Sequence, residues 1–156
     1  MAFRPRSRIS VLGATAVAVS GGADTNENIL ATITVPAGAM GLNGILRIYT
    51  LFTYTNSGNN KTTRVRFGGI GGTVYGSDVF TTTATFSDMR IIQNRGAANS
   101  QVGMKASAGV FTSSTAAVIT SAIDTSAATT VVITAQKASA GETMTLEAYM
   151  VELILP

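Results

Sequence analysis

The feature that most limits what this chain can fold into is the rhythm of its apolar residues. Strand-length runs rich in Val, Ile, Thr, Tyr and Phe recur along its length, each bounded by Gly, Asn, Ser or Pro, and helical periodicity is nearly absent. Asn28–Val35 shows the pattern: Ile29, Ala31, Ile33 and Val35 alternate with Leu30, Thr32 and Thr34. Pro36-Ala37-Gly38 then stops the run, because proline has no amide to give a ladder and glycine accepts turn dihedrals. Gly41-Leu42-Asn43-Gly44 adds an Asn-Gly turn signal before Ile45–Thr55, the longest clear strand. Leu46, Ile48, Phe52 and Tyr54 line one of its faces and Arg47, Tyr49, Leu51 and Thr53 the other, so both faces carry apolar groups.

The remaining runs follow the same logic. Asn56-Ser57-Gly58-Asn59-Asn60 forms a hairpin loop into Lys61–Phe67, where Val65 and Phe67 alternate with Arg64 and Arg66. Further strands are expected at Thr73–Phe80, Thr85–Arg95, Ser100–Ala106, Ala117–Ile123 and Thr129–Gln136, and a first apolar run spans Ser10–Ser20. The last, Thr143–Leu155, sets Met144, Leu146, Ala148 and Met150 against Thr145, Glu147 and Tyr149, and turns apolar on both faces from Val151 onward. Short strands about a dozen residues apart with no crossover helices make the chain all-β, an antiparallel β-sandwich of jelly-roll-like type rather than a parallel sheet. A sandwich buries one face of each sheet, and two of these strands have apolar residues to spare on the second. Surplus of that kind marks a subunit interface, expected at Tyr149, Val151, Leu153 and Leu155, so the chain is expected to form a homo-oligomer.

At 156 residues there is room for one domain and its core, assigned here to residues 10–156 behind an extended basic arm of residues 1–9. Charged residues are 12% of the chain against a usual quarter or so. Such a surface solvates itself with Thr, Ser and Asn and presents little barrier to close association. The net charge of +3 is also localised: Arg4, Arg6 and Arg8 are three of the eleven basic residues, and the other eight balance the eight acids. A basic arm on a neutral body lacks the basic face that nucleic-acid binding requires. The stretch Phe3-Arg4-Pro5-Arg6-Ser7-Arg8 disfavours helix and should run extended, suited to an acidic groove of a neighbour through paired guanidinium–carboxylate bonds. No apolar run reaches membrane-spanning length, and this N-terminus lacks the apolar core of a signal peptide.

The chemistry of catalysis is thin. The chain has no His and no Cys, which removes the commonest general base, the thiol nucleophile and the usual zinc ligands. Asp24, Glu27, Asp78, Asp88, Asp124, Glu142, Glu147 and Glu152 form no motif, although a fold can assemble a glycosidase pair from two distant acids. Gly68-Gly69-Ile70-Gly71-Gly72 leads from strand to strand with no following Lys-Ser/Thr, so it reads as a turn rather than a phosphate loop. Asp24-Thr25-Asn26-Glu27-Asn28 spaces oxygen ligands as a calcium loop does, but Ile29 and Val35 stand where its Gly and Glu belong. The expectation is a protein without enzymatic activity, cofactor or metal.

One stretch adds a resemblance. Asn26 to Gly69, with Asn28-Ile29-Leu30-Ala31-Thr32-Ile33-Thr34-Val35-Pro36-Ala37-Gly38, Gly41-Leu42-Asn43-Gly44 and Thr55-Asn56-Ser57-Gly58-Asn59-Asn60-Lys61-Thr62, resembles small β-rich structural proteins of tailed bacteriophages. The ending Thr145-Leu146-Glu147-Ala148-Tyr149-Met150-Val151-Glu152-Leu153 is similar to theirs as well. The resemblance implies a virion component assembled in the host cytoplasm: a capsid decoration (cement) protein, trimeric by analogy with the type, held on the major capsid protein by its arm. The alternative it implies is a fibre- or spike-associated sandwich for attachment, with Tyr49, Tyr54, Tyr75 and Tyr149 as glycan contacts. A single domain without heptads or repeats favours decoration over a fibre shaft.

Overall fold

The computed structural model describes residues 8–104 and 117–156. Among them there are eleven strands and no helix: β1 (Arg8–Thr15), β2 (Val19–Ser20), β3 (Asn28–Val35), β4 (Ile45–Tyr54), β5 (Lys61–Phe67), β6 (Thr73–Phe80), β7 (Thr85–Asn94), β8 (Gln101–Gly103), β9 (Ile119–Ser121), β10 (Thr129–Lys137) and β11 (Met144–Leu155). Two antiparallel sheets pack as a sandwich. The larger, sheet A, runs β1-β11-β4-β7-β8-β9 with β2 also on β11, and sheet B runs β3-β10-β5-β6.

Setting aside the short β2, β8 and β9, the pairings nest. The first long strand pairs with the last, β1 with β11; then β3 pairs with β10, β4 with β7, and β5 with β6. Two further pairings, β11 with β4 and β10 with β5, join these ribbons into sheets. The fold is thus an eight-strand ribbon doubled back at the β5–β6 turn and rolled over itself. That turn is Gly68–Gly72. Gly68 and Gly69 adopt φ of 94° and 87°, a region closed to most side chains, and a Cβ on Gly72 would lie 2.1 Å from the carbonyl oxygen of Phe67.

The core lies between the sheets, built from the inward set of β4 (Leu46, Ile48, Phe52) against Val35, Phe67 and Ile133 of sheet B. Four β-bulges shape it, each adding one unpaired residue: Leu12 in β1, Leu30 in β3, Tyr75 in β6 and Glu147 in β11. A bulge reverses the side-chain parity beyond it, and two expectations change accordingly. In β3 the bulge buries Leu30 and turns Ile29 out to solvent, against the simple alternation. In β11 the bulge at Glu147 brings Tyr149 to the inner side with Met144 and Leu146, and sends Met150 outward.

The interior also holds charge. Arg90 of β7, only 2% exposed, lies between Asp78 of β6, whose Oδ2 is 2.5 Å from Nη2, and Asp88, which accepts a bond from Nε. A second polar knot fastens the β8–β9 region. Gln101 donates to Asn94 at 2.9 Å and to Ile123 O at 3.0 Å and accepts from Ser121, while Asn94 donates to Thr125 at 2.9 Å. Buried amides are tolerated because these bonds replace the lost water.

Candidate interaction face

The outer face of sheet A is where the second apolar surface emerges. Reading across β1, β11, β4 and β7, the registers place Ile9 beside Ile154, Ile45 and Gln93. The next row is Val11, Glu152, Arg47 and Ile91, and the one after it Ala14, Met150, Tyr49 and Met89. Ile9 and Val11 are each 58% exposed, Ile91 46%, and Tyr49 and Met89 36%. With strands ~4.8 Å apart and like-facing residues ~6.8 Å apart, three rows over four strands cover on the order of 400 Å². That footprint, which includes Arg47, Glu152 and Gln93, is within the range of the largest patch on a typical monomer, and about half of one side of a standard interface.

One ion pair sits within this apolar field. Arg47 Nε donates to Glu152 Oε2 at 2.6 Å, and Nη2 lies 2.6 Å from the same oxygen. The pair is bordered by Val11 and Ile91 along its own row, and by the isoleucines of one neighbouring row and Met150 and Tyr49 of the other. Its exposure is uneven, 38% for the Arg47 side chain and 12% for Glu152.

The expected interface residues are corrected by this geometry. Val151 and Leu153, 0% and 4% exposed, belong to the intrachain core, and Tyr149 and Leu155 are partly buried against it. All four lie on the inner side because of the Glu147 bulge, and the outward residues of the same strand are Met150, Glu152 and Ile154. Met89 and Ile91 were missed altogether; the alternation of Met89 and Ile91 with Arg90 and Ile92 was their only signal. Of the arm, Phe3, Arg4 and Arg6 lie outside the described residues, while Arg8 begins β1 opposite Leu155 and Ile9 follows it in the strand.

The other singled-out groups are occupied elsewhere. Tyr54 and Tyr75 are core residues, and burial raises both phenols above their ordinary range. Asp78 and Asp88 are brought together as a carboxylate pair, yet both bind Arg90 within the sandwich. Asp24 accepts from the Asn26 amide at 2.8 Å and so closes its own loop.

Sheet B presents the opposite outer surface. Arg66 donates two bonds to Glu27, at 2.9 and 2.8 Å, and Thr134 donates a third at 2.6 Å; the Arg66 bonds foremost hold the Glu27 carboxyl below its ordinary range. Arg64 stands 3.4 Å from the same carboxylate and donates to Gln136 at 3.0 Å. At the end of this sandwich Lys61 and Lys137 face each other across β5 and β10, both buried. Lys61 is held by Ser57 and by the Asn59 carbonyl, each at 2.8 Å, and Lys137 by the Glu142 carbonyl at 2.5 Å. The Glu142 carboxyl is lowered by hydrogen bonds from Ser57 and Asn59 and by the charge of Lys61.

No protein-family model matches the chain, and no curated protein does. Among solved structures the chain is similar to one in "Structure of infectious bursal disease virus Gx strain", with TM-score 0.46 and 12% identity over 97% of this chain and 32% of that one. A chain in "Structure of infectious bursal disease virus Gt strain" is similar with TM-score 0.29 and 11% identity, over 96% of this chain and 40% of that one. The chain therefore spans less than half the length of either, and likeness at these scores says nothing of what it binds.

Proposed function

We propose that this chain is a non-enzymatic structural module of a virus particle, a decoration subunit that works by covering the outer face of sheet A against other virion proteins and its own copies. That face carries the reading: a sheet whose inner side already fills the core keeps a second, largely apolar side, about half of one side of a standard interface, centred on the Arg47–Glu152 ion pair. The nested pairing of the eight long strands supports the same reading, because it is the winding of a jelly roll, an architecture used by viral capsid and lectin domains. A neutral, charge-poor body and the absence of His and Cys from the sequence fit an assembling part better than an active site. The tailed-phage setting comes from the resemblance of residues 26–69, and the capsid is favoured within it. Attachment through glycans is the weaker reading, since two of the four tyrosines are in the core.

Imaging of the particle that carries this chain tests the proposal. Density on the icosahedral shell is expected, and density confined to the tail would overturn decoration. Ile91→Asp should keep the folded protein off the particle, whereas Val79→Asp on the outer side of sheet B should not. Equal incorporation of both variants would remove the face from the function.

A further inference from the structure

We infer that the outer face of sheet A docks a second copy of this chain about a two-fold axis, with Arg47 and Glu152 exchanging partners across the interface. The inference rests on the reading of that face as a contact surface and names its occupant. What selects a second copy is the charge at the centre of the patch. An unrelated partner that engaged both charges would need an anion and a cation side by side among apolar residues, in matching order. A second copy supplies them by symmetry, because in a two-fold contact each residue that meets another is met by it in return.

The registers also fix the axis. Arg47 and Glu152 are cross-strand neighbours on β4 and β11, so an axis lying in the interface, parallel to the strands and between these two, places each Arg47 over the other copy's Glu152. An axis across the strands would set Arg47 over Arg47. The favoured axis preserves the rows and reverses their order. Val11 then meets Ile91, Ile154 meets Ile45, Ala14 meets Met89, and the Met150 thioether meets the Tyr49 ring, a favourable sulfur–aromatic contact, while at one corner Ile9 meets the Gln93 side chain. Stacked sheets pack ~10 Å apart, within reach of an arginine side chain. The groups have capacity for a second partner. The Arg47 hydrogen bond and the close Nη2 approach both fall on Oε2 of Glu152, and a guanidinium has five N–H donors. The three-fold arrangement expected by analogy would require two different patches on each copy, whereas this patch is complementary to itself.

Charge reversal tests this directly by analytical ultracentrifugation of the full chain. Arg47→Glu sets Glu against Glu at both crossings, and Glu152→Arg sets Arg against Arg, so each variant alone should associate at least about tenfold more weakly than wild type. Mixed in equal amounts the two should recover the dimer, since both crossings of the mixed pair then join opposite charges. The double variant Arg47→Glu/Glu152→Arg should dimerise by itself, and it restores the intrachain pair, so it reports on the interface even if a single variant folds poorly. A monomeric wild type, single variants that dimerise normally, or a mixture that stays monomeric would each overturn the inference. A monomeric mixture together with loss of Ile91→Asp from particles would assign the face to a different virion protein. Normal incorporation of Ile91→Asp would instead sink the contact-face reading beneath it.

Discussion

The outer faces of sheet A and sheet B meet the same solvent with strands of the same kind, and they are built from different chemistry. Sheet B covers itself with Thr32, Thr34, Thr62, Arg64 and Arg66, and its arginines are engaged by Glu27 and Gln136 of the same sheet and its flanking loop. Its apolar exceptions among the described residues are Ile29 and Val79, exposed at opposite edges, Val132, 2% exposed between Thr32 and Arg66, and Val74, partly buried on the other side of Arg66. Sheet A instead leaves contiguous isoleucine, valine and methionine open around one ion pair. Since sheet B is built without such a surface, an apolar exterior is not a requirement of this fold. Its retention on one sheet alone points to a use outside the chain.

The sharpest way to test the division between inside and outside lies in two consecutive residues of β7. Arg90 faces inward onto Asp78 and Asp88, and Ile91 faces out. Arg90→Met removes the cation shared by two buried carboxylates, and removal of one partner from a buried pair costs about 3–5 kcal/mol. Urea unfolding should show a loss of that size, the largest expected here. Ile91→Asp should change folding stability by less than about 1 kcal/mol, as surface substitutions do, while abolishing assembly. If the two variants destabilise equally, the assignment of Ile91 to an uncovered surface is wrong.

That pair also shows what the sequence could and could not reveal. Period-two alternation located the strands, and the inner and outer sets of β4 were legible in full, because one unbulged strand keeps its parity throughout. The four interface residues expected on β11 were misplaced for the converse reason. Extending the alternation of Met144 and Leu146 sends Val151 and Leu153 outward, and the Glu147 bulge, which exists only in register with β4, reverses them. Arg90 was unreadable as a core residue because its anions come from β6 and from two positions back on its own strand. Surplus apolar residues could be noticed in the sequence, but their assembly into one field required the strand order β1-β11-β4-β7, which joins segments distant along the chain.

Giving sheet A the chemistry of sheet B should produce the next largest effect. Val11→Thr with Ile91→Thr keeps β-branched residues, which strands accept, and replaces two of the most exposed apolar side chains of the patch. Unfolding free energy should move by no more than about 0.5 kcal/mol. Self-association measured by sedimentation should weaken about tenfold, equivalent to roughly 1.4 kcal/mol. Unchanged association would mean that the apolar field is incidental and that the contrast between the faces has no bearing on assembly.

The smallest expected effect comes from sheet B. Glu27 has an ordinary carboxyl value of 4.5 that is lowered in the folded chain, chiefly by the Arg66 bonds and further by Thr134. A lowered folded-state pKa adds stability that is complete above the unfolded value and disappears as the pH falls through the folded one. Glu27→Gln should therefore cost under about 1 kcal/mol at neutral pH, a modest figure because water screens the pair. The gap from wild type should close as the pH is taken from about 4.5 downward through the lowered value. Urea unfolding of both proteins across that range checks it, and a gap that does not vary with pH would show that the carboxylate charge is not the stabilising element. Because these ions are spent on their own sheet, self-association of Glu27→Gln at neutral pH should match wild type. A loss of association there would mean that sheet B, and not only sheet A, takes part in the contact.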